Sequence, residues 1–430
     1  MDKTVTFSTH FRNSDEEIEI YGSKTLTEVS LKDDRNLLIE KCNECSKICD
    51  FTSDKKDIKA KSIKSTLLKQ ITSSFSNPHI SRTLSNDVIK SFFYMIGKNI
   101  FRTFPIIKHY GPSDFNDSIF DSAWPHISLA YECLNASSNS PSLKEFPPKF
   151  LSNLVDNTLS PDERERKEAK AVLNNIYNRF PSSRLVIRHR CSYIFINQKC
   201  SSELLDFYYT VVSGFSPPLK NETIIKYQHE ILPLHCLSNY SSYYNYLVQV
   251  VYRFIAKSEI LLQYTLTYLN KHWPCTDRKK QTLFLREYED LVVNFDNRMN
   301  KEMAFQFFRK INECITNEST DIACTALEIL QNPMLHFFVK NNAANLYFML
   351  IISISTVATE HWNDDTRDMA KTTLEVLNQI EPNAYRKAAA MQKSIKSMKT
   401  PFCGIPKTKW KKLIGLAKYY DTGNLQFDIL

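Results

Sequence analysis

Glycine is scarce in this chain, and the scarcity is the strongest constraint on what the chain can fold into. The sequence has 7 glycines in 430 residues, where average usage of about 7% would supply roughly 30. Hairpin-rich sheets and phosphate-binding loops need glycine, because it adopts positive φ angles without steric cost. The composition therefore predicts an all-α protein.

Apolar residues recur at helical spacing along most of the chain. In one segment they follow i, i+4, i+7, i+8 and i+11, at Leu204, Tyr208, Val211, Val212 and Phe215. Prolines and Ser/Asn clusters divide the sequence into roughly seventeen helices, arranged in pairs of about 40 residues. This pattern predicts an α-solenoid of HEAT- or armadillo-like helix pairs, wound into a curved superhelix. We expect a flexible N-terminal arm at residues 1–35, a repeat domain at 36–420 and a tail at 421–430.

Cysteine usage and hydropathy suggest the cellular compartment of the protein. The 11 cysteines are odd in number and scattered, and the first residues lack the apolar core of a signal peptide, so we expect free thiols and a cytoplasmic or nuclear location. The longest apolar run, Leu346–Ala358, is too short to span a membrane and predicts a buried helix. The net charge of +8 favours anionic partners without naming one.

Motifs for catalysis are missing from the sequence. There is no phosphate-binding P-loop, G-x-S-x-G or H-E-x-x-H motif. Cys42, Cys45 and Cys49 share one helix face, and no fourth ligand lies at zinc-finger spacing, so we interpret them as part of a buried core seam. We expect no catalytic residues, no metal and no cofactor.

Two basic features suggest binding. Arg184 and Arg188 lie four residues apart on one predicted helix, where like charges repel unless an anion answers them. They could face a ligand, or they could pair with Glu203 or Asp206 of the neighbouring helix. The segment Arg386–Tyr420 has ten Lys or Arg and no Asp or Glu. It could be a capping helix with a solvated face, or it could bind a phosphate backbone or an acidic membrane surface.

Nine phrases of the sequence, in order, resemble the B-prime regulatory subunits of protein phosphatase 2A. They include NIFRTFP (99–105), SAWPHISLAYE (122–132), SGFSPPLK (213–220), FLREYEDL (284–291) and WKKLIGLAK (410–418). The resemblance covers about residues 36–420. It implies a curved array of HEAT-like pairs without catalytic activity, which docks on the scaffold and catalytic subunits of the phosphatase. It also implies a concave groove that recruits substrates through short motifs of the type Leu-x-x-Ile-x-Glu.

Carried over residue by residue, the resemblance places the motif groove on residues 174–223. Tyr177, Arg184, Arg188, Val211 and Lys220 keep the family's residue types, and Asp206 is a similar acid. Four positions differ: Phe207 replaces an aliphatic residue, Asn174 and Asn175 replace a His-Arg pair, and Thr223 replaces a histidine. Losing one arginine contact to an acidic ligand would cost roughly 1.5–3 kcal/mol. The alternative function is a basic α-solenoid that binds nucleic acid or an acidic nuclear partner through residues 386–420.

Overall fold

The computed structural model of the chain describes residues 5–10, 18–22, 31–82, 84–104 and 119–398. The chain divides into two compact units, Met1–Glu287 and Tyr288–Leu430. Almost every described element is a helix, so the all-α prediction is confirmed. The first unit holds β1 (Val5–Phe7), α1 (Leu31–Cys45), α2 (Ile58–Ser76), α3 (Pro78–Ser81), α4 (Asn86–Ile100), β2 (Ile119–Asp121), α5 (Trp124–Ser138), α6 (Pro148–Asp156), α7 (Glu163–Arg179), α8 (Arg184–Ile196), α9 (Ser202–Ser213), α10 (Asn221–Lys226), α11 (Tyr240–Lys257) and α12 (Ile260–Lys271).

The boundary between the units falls within α13 (Arg278–Phe295). The second unit continues with α14 (Lys301–Ile315), α15 (Thr320–Gln331), α16 (His336–Glu360), α17 (Asp364–Ile380) and α18 (Pro382–Met398). Within it, α14, α16 and α18 pack in one row, and α15 and α17 in a second.

The first unit has the same two-layer construction. Helices α2, α5, α7, α9 and α11 pack side by side in one layer. The other layer contains α1, α4, α6 and α8, followed by the π-helical turn Tyr227–Ile231 and α12. Each helix thus packs on its partner in the pair and on the matching helix of the next pair, as in an α-solenoid.

Polar contacts between the helices reveal the length of the repeat. Arg179 donates to Asn139, 40 residues away, and Lys170 donates to Asp206, 36 residues away. In the second unit, the Trp362 indole donates to the Glu318 carbonyl across 44 residues. The contacts join equivalent positions of successive helix pairs, and they agree with the predicted spacing of about 40 residues.

The helices begin and end where local chemistry directs them. Side chains of Ser85, Asp162, Ser201, Asn300 and Asn363 accept hydrogen bonds from backbone N–H groups in the first turns of α4, α7, α9, α14 and α17. Pro181 follows the last turn of α7, and Pro217 and Pro218 follow α9. The three consecutive helices predicted between residues 162 and 220 are therefore confirmed.

Two features of the core were predicted correctly. Cys42, Cys45 and Cys49 are at most 1% exposed in the first unit, as expected of a core seam, but α1 ends at Cys45, so the prediction that Cys49 shares the same helix face is wrong. The stretch Pro333–Glu360 is long and apolar enough, by length and composition alone, to cross a membrane. Its residues Leu346, Leu350 and Ile354 are nevertheless buried within the second unit, as expected of a core helix.

Part of the predicted flexible arm is docked. The strand β1 pairs in parallel with β2, and His10 is only 4% exposed. Ile20 is also buried, and the Ile18 amide donates to Asp57. The first described helix, α1, begins at Leu31 inside the segment assigned to the arm. The predicted tail at 421–430 lies outside the described residues.

Candidate functional site

The candidate site lies where α7 ends and α8 begins. Asp162 caps α7 by accepting from the Arg164 amide, and the 3-10 turn Pro181–Ser183 reverses the chain into α8. Tyr177 lies on the last turns of α7, and Arg184 opens α8. Because Arg188 follows one turn later on the same helix, both arginines project from one face of α8.

Tyr177 forms an aromatic wall at this corner. It is 9% exposed, and its ring meets the ring of Phe207 edge to face with centroids 5.7 Å apart. The Arg184 guanidinium lies 5.3 Å from the Tyr177 ring centroid, within cation–π range. Burial raises the pKa of the Tyr177 hydroxyl, and the charges of Arg188 and Arg184 oppose that rise. The two arginines thus lie close to the tyrosine.

Arg184 is partly used to close the end of α7. Its Nε donates to the carbonyl of Tyr177 at 2.8 Å, and its Nη2 donates to the carbonyl of Asn178 at 3.2 Å. These carbonyls are in the last turn of a helix, where no intrahelical donor reaches them and a cation is favourable. Arg184 therefore stabilises the turn as well as contributing charge to the site.

Arg188 is a half-buried cation that no carboxylate of the described chain neutralises. The acids proposed as its partners are taken: Glu203 accepts from Arg166 at 2.7 Å, and Asp206 accepts from Lys170 at 2.7 Å. The alternative in which the two arginines only pair with α9 is therefore wrong. Arg188 lies beside the Tyr177 hydroxyl instead, with a hydrogen bond between the two side chains.

The apolar part of the site is closed. Phe207 is 0% exposed and Val211 is 1% exposed, so both belong to the core beneath Tyr177. In this structure they form a floor and do not line an open slot.

The remaining predicted residues are more dispersed. Asn175 is exposed and donates to Asn135 on α5 at 2.5 Å, while the Asn174 Oδ1 is buried without a hydrogen-bond partner. Lys220 is exposed just before α10, and Thr223 is partly exposed on α10. No hydrogen bond, ion pair or ring contact in the described part of the chain joins these four side chains to Tyr177 or Arg188.

Glu230 is a neighbour of the site that the sequence did not reveal. It lies 4% exposed on the π-helical turn and accepts from Ser192 of α8 at 2.5 Å, while its Oε2 is buried without a partner. Burial raises the pKa of its carboxyl. Its polar neighbours in sequence, His229 and Lys226, give no signal of burial.

The described residues give no support to the other two kinds of site that the sequence suggested, a metal site and a basic binding segment. Across residues 5–10, 18–22, 31–82, 84–104 and 119–398, no group of three or more His, Cys, Asp or Glu side chains could hold a metal ion. The basic segment begins on α18, and its part after Met398, with Trp410 and its lysines, lies outside the described residues.

Comparison with known proteins gives one consistent family. The model for protein phosphatase 2A regulatory B subunits of the B56 family matches residues 23–417. The chain is 25% identical to the 56 kDa regulatory subunit alpha isoform of serine/threonine-protein phosphatase 2A from Mus musculus, over 88% of this chain and 80% of that protein. It is 27% identical to the phosphatase 2A regulatory subunit psrA of Dictyostelium discoideum, over 86% of this chain and 61% of that protein.

Proposed function

Because this chain belongs to the B56 family of protein phosphatase 2A regulatory B subunits, we propose that it binds a phosphatase scaffold subunit and catalytic subunit and brings substrates to them. It is a regulator and not an enzyme. The recruited substrates carry short acidic motifs of the Leu-x-x-Ile-x-Glu type, which bind across α7, α8 and α9.

The unpaired charge of Arg188 is the observation that best supports motif binding. A half-buried guanidinium without a carboxylate partner is costly unless a ligand supplies the anion. The neighbouring acids already have other cations, and the mostly buried ring of Tyr177 packs against Phe207 and Arg184 beside the charge. A carboxylate or phosphate of the motif would form a charge-assisted hydrogen bond with Arg188, contributing about 1.5–3 kcal/mol.

This chain should prefer different motifs from family members whose groove carries a His-Arg pair at the positions of Asn174 and Asn175. Asn174 and Asn175 carry no charge, and Asn175 is engaged with Asn135. The closed positions Phe207 and Val211 favour shallow packing of the motif's apolar residues over deep insertion. Binding then depends more heavily on the acidic residue that meets Arg188.

Peptide binding tests this proposal. A fluorescent Leu-x-x-Ile-x-Glu peptide should bind the full chain at micromolar affinity, and Arg188→Glu should abolish binding, since it replaces an attraction with a repulsion. Lys199→Glu is the matched control, because it makes the same charge change on an exposed residue just beyond α8. Equal affinity for Arg188→Glu and the wild type would remove motif binding from the proposal and leave the family assignment intact.

A cytoplasmic or nuclear location is also part of the proposal. It is supported by the odd, scattered cysteines of the sequence, which suit a reducing compartment. Imaging of a tagged full chain would test it, and a secreted product would contradict it.

A further inference from the structure

Residues 5–10 lie on the first unit as an extended peptide. Val5, Thr6 and Phe7 align in parallel with Ile119, Phe120 and Asp121 of β2. The amide of Ser122 donates to the Phe7 carbonyl at 2.8 Å, and the amide of Phe51 donates to the His10 carbonyl at 3.0 Å. Backbone hydrogen bonds thus hold the segment along its strand and at His10, and β1 and β2 together make a sheet of two strands.

Thr9 reaches into a buried ionic cluster. Its hydroxyl donates to the Asp121 carboxylate and accepts from Arg102 Nε at 2.6 Å. Arg102 also donates to both carboxylate oxygens of Glu165 at 2.7 Å. The side chains of Asp121 and Glu165 are 0% exposed, and that of Arg102 is 7% exposed. The Thr9 hydroxyl thus forms hydrogen bonds with two charged groups, Asp121 and Arg102, that are almost inaccessible to water.

His10 fills the second specific position. Its Nε2 lies 3.1 Å from the Asn99 carbonyl, and because a carbonyl only accepts, Nε2 carries the proton. The ring lies 6.3 Å from the Phe51 ring, which in turn meets His126 edge to face at 4.9 Å. The Asn99 Oδ1 and His126 Nδ1 are both buried without hydrogen-bond partners. The pocket around His10 therefore contains two buried polar atoms that the docked segment leaves without a hydrogen bond.

The groove belongs to the folded body of the first unit, whereas its occupant is a short extended segment. The groove is built by the body of the first unit: the loop before α2, the end of α4, and β2. The occupant is six consecutive residues, of which only His10 is buried among residues 6–10. It is held by backbone pairing, by the side chains of Thr9 and His10, and by the partly buried Phe7. Six extended residues bury less apolar surface than a core helix, so the docking free energy is smaller than that of a core helix.

We propose that this groove is a binding site for an extended peptide that carries a hydroxyl residue followed by a histidine, and that the chain's own residues 5–10 occupy it as a displaceable ligand. The site lies apart from Arg188 and does not depend on motif binding there. A partner with the same pattern gains access only when the N-terminal segment leaves. The segment thereby restricts the site to partners that outcompete it.

A full-length chain with a weakened segment tests the proposal. The double substitution Thr9→Val and His10→Ala removes both side-chain anchors and leaves the groove unchanged. A fluorescent peptide of residues 5–10 should bind this variant at least tenfold more tightly than it binds the wild type, whose groove is occupied. The same peptide with Thr9→Val should lose about tenfold in affinity, since it lacks hydrogen bonds to charged groups.

The control chain carries Thr6→Val and Ser8→Ala instead. Thr6 is exposed, and the Ser8 hydroxyl donates only to the His10 carbonyl within the segment. This chain should bind the peptide no better than the wild type. Equal binding to the anchor-deficient and control chains would overturn the proposal.

Hydrogen exchange on the wild-type chain gives a test that needs no variant. Excess peptide of residues 5–10 should speed exchange in the chain's own N-terminal segment, while the amides of Phe51 and Ser122 stay protected. If the segment exchanges as slowly as α4 and does not respond to peptide, it is a fixed part of the core and the proposal fails.

Discussion

Arg102 is the residue whose loss should most damage the first unit. Its guanidinium donates to Glu165 and Asp121 and to the carbonyl of Ile100 at 3.0 Å. Through these contacts it ties the end of α4 to β2 and α7. Arg102→Met keeps a long side chain and removes every donor, leaving two buried carboxylates without their cation.

The expected loss of stability comes from the two buried carboxylates that Arg102→Met leaves without a cation. Removing one partner of a buried ion pair typically costs about 3–5 kcal/mol, because the remaining charge cannot be solvated. Both carboxylates are 0% exposed, and the Tyr131 hydroxyl at 3.3 Å and Ser160 supply only neutral donors to Glu165. We therefore expect Arg102→Met to lower the free energy of unfolding by about 3–5 kcal/mol. Adding Glu165→Gln should recover part of that loss, because one stranded charge disappears.

Urea unfolding followed by the fluorescence of Trp124, which lies in this unit, measures the effect. Lys167→Met is the control: it lies on α7 in the same unit, and its pair with Glu163 is 63% and 57% exposed, so its loss should cost less than about 1 kcal/mol. A loss below about 1 kcal/mol for Arg102→Met, or a double variant less stable than the single one, would refute the reasoning about stranded charge.

The docked segment and the candidate site give three further predictions. Burial, reinforced by Arg102 and Lys64 and opposed by Asp121, lowers the pKa of His10 to about 4 from 6.5. Docking of residues 5–10 is therefore favoured above pH 6.5 and weakens as the pH falls, by about tenfold at pH 5.5 relative to its value well above pH 6.5, which hydrogen-exchange protection factors corrected for the pH dependence of intrinsic exchange would reveal. Asn175→Arg should strengthen binding of an acidic Leu-x-x-Ile-x-Glu peptide by about tenfold in a titration, and no gain would show that residue 175 does not face the ligand. Phe207→Ala should cost about 3–5 kcal/mol in thermal or urea unfolding, whereas Phe337→Ala, 69% exposed, should cost far less; similar losses would mean that Phe207 does not support the core.

The sequence predicts well those features that depend on neighbours along the chain. Helices α7, α8 and α9 follow from apolar spacing and from Pro181 and the Pro217–Pro218 pair, because periodicity and proline geometry act locally. The scarcity of glycine correctly predicts the helical class. The buried positions of Cys42 and Cys45 follow from the same periodic argument, whereas Cys49 is buried in the loop after α1, outside the helix that the argument assumed.

Contacts between distant residues were not accessible in this way. Arg102 meets partners 19 and 63 residues along the chain, and Thr9 meets Asp121 across 112 residues. Residues 5–10 are too few to show a sustained periodicity that would predict docking, and their contacts use backbone groups, the Thr9 hydroxyl and the His10 ring. The choice of partner for Glu203 and Asp206 was likewise set by α7, which presents Arg166 and Lys170, and not by the arginines of α8.

Copurification tests the central claim most directly. The tagged full chain, expressed at native level and recovered from native lysate at physiological salt, should bring down a scaffold subunit and a metal-dependent serine/threonine phosphatase, together with okadaic-acid-sensitive phosphatase activity. Recovery of neither subunit, from a lysate in which both are detected and the tagged chain is folded, would contradict the proposal that this protein regulates a phosphatase 2A holoenzyme.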